Sequence, residues 1–206
     1  MPNITLPGMT SLVSSWTAWG IFREWSLRAA AEVAGDLKKA GHTWVLRSGN
    51  KGKRGFDERY ERYAARLWPP PMRGDWLYLF VGLFVGRDND PVSVEGVPDL
   101  FLALHVDPDK SMGQKLQKDA KLAAAVAKWK KRSGSVLREF RPGEWEVLRA
   151  RTSALELIQS AEQEADFLAW MRDRAQEWVN DGILEIVAKA DASTRKTIGE
   201  ASEPED

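Results

Sequence analysis

The sequence predicts an α+β fold: a mixed or antiparallel sheet built around a central apolar hairpin at about 76–107, flanked by long helices from the N- and C-terminal parts of the chain. Three observations predict it. Two apolar runs, Trp76–Val85 and Val92–Asp107, enclose the polar stretch Arg87, Asp88, Asn89, Asp90 and Pro91, the punctuation of an antiparallel turn. Along the first run Leu77, Leu79, Val81, Leu83 and Val85 point one way and Trp76, Tyr78, Phe80 and Phe84 the other, because side chains alternate on a strand. Neither face is polar, so both need cover. Long segments with apolar residues at three-or-four spacing lie on either side of this hairpin in the chain, and they are expected to cover the two faces.

The first such segment starts at a cap on Thr10 or Ser11 and carries the stripe Ala18, Ile21, Phe22, Trp25, Ala29, Val33, Leu37 and Ala40 before Gly41 stops it. Trp44–Leu46 is a short strand, and the basic, glycine-rich loop Arg47–Gly55 follows. Asp57–Trp68 reads as a second helix, with Phe56, Tyr60, Tyr63, Ala64 and Leu67 on one side and Arg59, Arg62 and Arg66 on another, ended by three prolines. Beyond the hairpin, Lys110–Arg132 reads as a single helix with Met112, Leu116, Ala120, Leu122, Ala123, Val126, Ala127 and Trp129 on its apolar face and Lys118, Lys121, Lys128 and Lys131 on the other. Val136–Phe140 and Trp145–Ala150 pair as a second hairpin near a sheet edge, with Trp145, Val147 and Arg149 on one face. Ser153 with Glu156 resembles a capping box that opens a helix to about Val179. Asn180, Asp181 and Gly182 stop it, and Ile183–Ala188 adds an apolar turn. The expected organisation is one domain over residues 1–189, followed by a polar, disordered acidic tail over 190–206.

Composition narrows the chemistry. The chain has no cysteine, which excludes a disulfide framework, a thiolate nucleophile and iron–sulfur ligation, and only His42 and His105 are available for a histidine zinc site. The N-terminus has no secretory pattern and no apolar run approaches a membrane span, so a cytoplasmic location without membrane partners is expected. The formal net charge is zero, yet the signs are segregated: Lys38–Arg73 is basic, Asp75–Asp109 acidic with Arg87 its lone cation, Lys110–Arg151 basic, and the last quarter acidic. The loop residues Arg47, Lys51, Lys53 and Arg54 and the helix residues Lys118, Lys121, Lys128 and Lys131 are therefore the candidate nucleic-acid-binding groups, with Trp44, Tyr60 and Trp129 near enough in sequence to stack on bases.

Catalytic signals are sparser. The loop at Lys51 lacks the Lys-then-hydroxyl ending of a phosphate-binding loop, no GxGxxG follows a strand, and no serine elbow is present. Pro98-Asp99, with Asp107 and Lys110 after an apolar strand, resembles the motif of the PD-(D/E)XK nuclease superfamily. That resemblance implies a divalent-metal phosphodiesterase, with Asp99 and Asp107 holding magnesium and Glu95, Asp99, Asp107 and Lys110 catalytic. Pro108 stands where the second carboxylate of that motif belongs, and Asp99 and Asp107 fall on one strand about 26 Å apart. His105, Asp107 and Asp109 alternate at the strand end as a possible metal cluster. The reading that follows is of a non-catalytic, cofactor-free accessory protein that engages nucleic acid or a protein that processes it. The nuclease is the alternative, and self-association through exposed tryptophans is the third reading.

Overall fold

A computed structural model describes residues 6–46, 56–57, 62–70, 77–84, 98–107, 111–133 and 146–201. Helix α1 (Leu6–Lys39) leads into strands β1 (Val45–Leu46), β2 (Phe56–Asp57), β3 (Arg62–Trp68), β4 (Leu77–Phe84) and β5 (Asp99–Val106). Helices α2 (Ser111–Gln117) and α3 (Ala120–Ser133), strand β6 (Glu146–Ser153) and helices α4 (Leu155–Gln159), α5 (Gln163–Asn180) and α6 (Ile183–Ala201) follow. The strands form one antiparallel sheet in the order β1-β3-β4-β5-β6, with β2 also paired to β3.

The central pair is the expected one. Leu77 stands opposite Val106 and Phe84 opposite Asp99, and all eight residues of each strand are buried. The alternation sorts them as the sequence implied: Leu77, Leu79, Val81, Leu83, Leu100, Leu102, Leu104 and Val106 join one apolar cluster, while Tyr78, Phe80, Phe84, Phe101 and Ala103 join another. The second strand begins at Asp99 rather than at Val92, and the expected turn residues 87–91 lie outside the described residues.

The helices take sides unequally. Ala29, Ala30, Val33 and Leu37 of α1, Leu116 of α2, Leu122 and Trp129 of α3, Phe167, Met171, Ala175 and Trp178 of α5, and Ile183, Leu184 and Val187 of α6 all belong to the cluster on the leucine face. The aromatic face is buried as well, but every member of its cluster comes from a strand. The expectation of helices on both faces is therefore corrected: the described helices form one layer. Burying one leucine completely contributes about 1.5–3 kcal/mol, so this face, with seven leucines from β3, β4 and β5 in its cluster, dominates the apolar stabilisation.

Four sequence expectations change. The expected helix over Asp57–Trp68 is strand β3 with β2 beside it. Its residues Ala65 and Leu67 go to the helix layer, while Ala64 and Trp68 go to the aromatic face. Apolar residues placed on both sides of a strand mimic a helical spacing when they fall as Ala64, Leu67 and Trp68 do, and pairing with β4 decided the outcome. The single helix over Lys110–Arg132 breaks at Lys118–Asp119, where Asp119 Oδ1 accepts hydrogen bonds from the amides of Lys121 (2.8 Å) and Leu122 (3.0 Å) and so caps α3. The helix expected from Ser153 to Val179 is likewise two, α4 and α5. Finally, α6 runs on to Ala201 through the stretch whose polarity predicted disorder.

Two expected stops are present. Gly41 adopts φ 89° and Gly182 φ 73°, values that favour glycine. At the first, the amide of His42 donates to Leu37 O (2.8 Å) and that of Gly41 to Lys38 O (3.1 Å), the paired bonds of a Schellman end. Strand β6 pairs with β5, and Val136–Phe140, its expected partner, lies outside the described residues. Between Leu104 and His105 the register shifts, so that Val147 is an extra residue. It and Leu148 both join the helix-side cluster, and Arg149 is placed on the aromatic face instead of sharing a face with Val147.

Candidate nucleic-acid interface

Residues 111–133 carry seven cations, Lys115, Lys118, Lys121, Lys128, Lys130, Lys131 and Arg132, against the single carboxylate of Asp119. That carboxylate is already committed to the α3 cap. Helical spacing places Lys121, Lys128 and Arg132 in one column, and Lys131 lies about 80° round the helix from Lys121 at 100° per residue. All are exposed, as are the small residues Ala120, Ala123, Ala124 and Ala127 between them. Ala120, Ala123 and Ala127, expected on the apolar side, thus lie on the solvent side. The buried stripe is Leu122 and Trp129 with Ala125 and Val126 half-buried.

Trp129 holds this helix in place. It is fully buried, its ring meets that of Trp178 edge-on at 5.9 Å, and its Nε1 donates to Glu177 Oε2 at 2.7 Å. On either side of Trp129, one residue before it and three after, α3 reaches the α5–α6 junction electrostatically. Arg132 donates to both oxygens of Asp181 (2.9 and 2.7 Å), and Lys128 Nζ lies 3.4 Å from Asp181 Oδ1. The Asp181 side chain is 1% exposed and lies beneath cations that are 48% and 69% exposed. Among the described residues Lys115, Lys118, Lys121, Lys130 and Lys131 form no ion pair; Lys115 belongs to α2 and Lys130 lies about 180° round α3 from Lys121, which leaves Lys118, Lys121 and Lys131 beside the two that are held.

A second cationic group lies on the aromatic face of the sheet. The Arg66 guanidinium is 5.1 Å from the Phe80 ring centre and 5.3 Å from that of Tyr78. Those of Arg149 and Arg151 lie 5.8 and 4.5 Å from Phe84. Arg151 also donates to Asp99 in a buried ion pair, and His105 stacks on Tyr78 at 5.4 Å and meets Phe80 edge-on at 4.6 Å. Nothing in the sequence marked these arginines, because the bulge that orients Arg149 is not visible as a pattern. Arg149 and Arg151 are 4% and 2% exposed, so this face is an interior rather than an open groove.

The nuclease-like residues are dispersed. Asp99 opens β5 and Asp107 follows its last residue, so the unbroken strand holds them about 26 Å apart. Glu95, Asp109 and Lys110 lie outside the described residues, as do Arg47, Lys51, Lys53 and Arg54. The strands on either side of that basic loop pair with β3 on both sides of Arg66: Leu46 faces Leu67, and Phe56 faces Ala65. No group of three or more histidine, aspartate and glutamate side chains among the described residues is placed to hold a metal ion. Among those residues no helix is long and apolar enough to cross a membrane. The six tryptophans with described side chains, at 25, 44, 68, 129, 170 and 178, are buried or half-buried, so none offers the exposed surface that the self-association reading called for.

On helices α1 and α5, acidic and basic side chains pair across the outer surface. Arg172 Nε donates to Asp36 Oδ2 (2.7 Å), and Arg28 meets Glu164 (2.5 Å). The hydrogen bond from Arg172, and then that from Lys39, hold the Asp36 carboxyl below its ordinary value. The Arg172 guanidinium is correspondingly raised by Asp36.

The fold and this surface define a class: an antiparallel α+β protein whose helical layer presents a lysine-rich helix to solvent. Comparison with protein-family models, with curated proteins and with solved structures finds no match for this chain.

Proposed function

We propose that the protein is a non-catalytic accessory protein that binds the phosphate backbone of nucleic acid through α3 and the turn leading into it. One observation carries this reading: Lys121 and Lys131 are exposed on a helix anchored from its other side by Trp129, Lys118 is exposed on the turn before it, and no described carboxylate neutralises them. A rigid helix that offers cations at fixed spacing loses little freedom on meeting a phosphate chain, and counterion release from the nucleic acid supplies the driving force. Lysines read charge and not sequence, so the expected binding is non-specific. The nuclease alternative, with magnesium as its metal, has no observation in its favour, because Asp99 is engaged by Arg151 and stands at the far end of β5 from Asp107.

Binding of the full chain to a short labelled DNA duplex, followed by anisotropy over a range of salt concentrations, tests the reading. Three phosphate contacts give a slope of log affinity against log salt of about −2.7. The Lys121→Glu/Lys131→Glu variant should lose most of the affinity. Affinity that does not change with salt, or that survives the double reversal, would overturn the proposal.

A further inference from the structure

We infer that Asp181 is an internal competitor for the cationic face of α3: its carboxylate occupies Lys128 and Arg132 as a phosphate would, and so limits how much of the helix a polyanion can use. This rests on the reading of α3 as a phosphate-binding element. The geometry supports it in three ways. Asp181 receives both hydrogen bonds of a forked guanidinium contact, at 2.9 and 2.7 Å, the arrangement Arg132 would otherwise offer to a phosphate. The same carboxylate draws Lys128 to 3.4 Å. Both cations share a helical column with Lys121, so the face is continuous in position but divided in charge, open at one end and neutralised at the other.

Asp181 is well placed to hold this role. It is the C-cap of α5, its amide donates to Glu177 O at 3.0 Å, and the left-handed Gly182 after it turns the chain into α6. The backbone therefore fixes the carboxylate beneath α3. Its side chain is 1% exposed while the two cations above it remain open to water, so an approaching phosphate meets the cations first and feels the buried carboxylate behind them. Releasing them adds up to two phosphate contacts to the three already available.

The salt dependence of duplex binding separates this role from a merely structural one. Asp181→Asn is expected to bind the labelled duplex more tightly than wild type, with a slope steeper by about 0.9 to 1.8, while Asp181→Glu keeps the wild-type slope. In the wild-type background Lys128→Gln/Arg132→Gln is expected to leave the slope unchanged, whereas Lys121→Gln/Lys131→Gln flattens it by about 1.8. An Asp181→Asn slope equal to or shallower than wild type overturns the inference. So does a Lys128→Gln/Arg132→Gln variant that loses as much slope as the Lys121→Gln/Lys131→Gln one. If Asp181→Asn does not fold, as judged by circular dichroism, the glutamine pair decides alone. Failure of wild type and every variant to bind with any salt dependence removes the underlying reading of α3. Binding that depends on Lys121 and Lys131 but ignores Asp181 removes only the competition.

Discussion

Asp99 shows how one side chain can carry opposite meanings in sequence and in space. Next to Pro98 it resembles a metal ligand; on the sheet it is a buried anion held by Arg151, with both side chains at or below 2% exposure. A buried ion pair adds little net stability, but removing one partner is costly because the remaining charge keeps its desolvation without its counter-charge. Asp99→Ala is therefore expected to destabilise the protein by roughly 3–5 kcal/mol in urea unfolding, and Asp99→Leu/Arg151→Met to recover most of that loss. Stability unaffected by Asp99→Ala would show that the pair contributes nothing to the fold. At the surface, Asp36 gives a smaller and pH-dependent effect. Its carboxyl is lowered from an ordinary value of 3.8, so its contribution is present above that value and is lost as pH falls through the depressed folded value. Arg172→Ala should cost about 0.2–1 kcal/mol at pH 7, a gap that closes towards pH 3 and below, measured by denaturant titration at each pH. A gap that stayed constant down to that pH would assign the effect to packing rather than to charge.

Among the elements, α3 depends most on a single anchor. Leu122, Trp129 and the Asp181 contacts hold it against α5 and α6, while its outer side faces water. Trp129→Ala should cost about 3–5 kcal/mol, and Trp129→Phe, which keeps the ring but loses the bond to Glu177, clearly less. Equal losses in thermal unfolding would mean that the hydrogen bond and not the ring holds the helix. Elements were legible wherever burial followed one period. The leucine–aromatic alternation of β4 and the stripe of α1 through Ala29, Val33 and Leu37 both appear as read, as do the glycine stops at 41 and 182. Strand β3 was misread because a strand apolar on both sides has no period of its own: Ala64-Ala65 and Leu67-Trp68 are neighbours that go to opposite faces. The break at Asp119 was missed because the apolar spacing continues across it, and only the side-chain cap marks the new start. Of the candidate site, the exposed lysines were visible as a run of charge. Their partition into held and open cations was not, since it depends on Asp181, which lies 49 residues from Arg132 in sequence.

For the whole molecule, the net charge of zero hides an arrangement in which opposite signs meet between elements as well as within single helices, as Asp36 does with Lys39 and Glu185 with Lys189. The acidic α5 and α6 junction meets the basic α3, and Arg172 of α5 meets Glu32 and Asp36 of α1. The two central strands enter this only at the Asp99 end of β5, which Arg151 holds: elsewhere β4 and β5 are hydrogen-bonded on both edges and buried on both faces. Salt should thus separate the layers. At 1 M the screening length falls to about 3 Å, which weakens the pairs at α3, whose cations are open to water, but leaves apolar burial intact. In native-state hydrogen exchange, the α3 amides are expected to exchange faster in 1 M NaCl than at low salt, through local opening of the helix. The amides of β4 and β5 should stay the slowest and keep their rates within error, because they open only when the sheet does. If α3 and the central strands accelerated together, the helix would be part of the same cooperative unit as the sheet. The Asp181 contacts would then be holding the entire fold together instead of governing one helix on its surface.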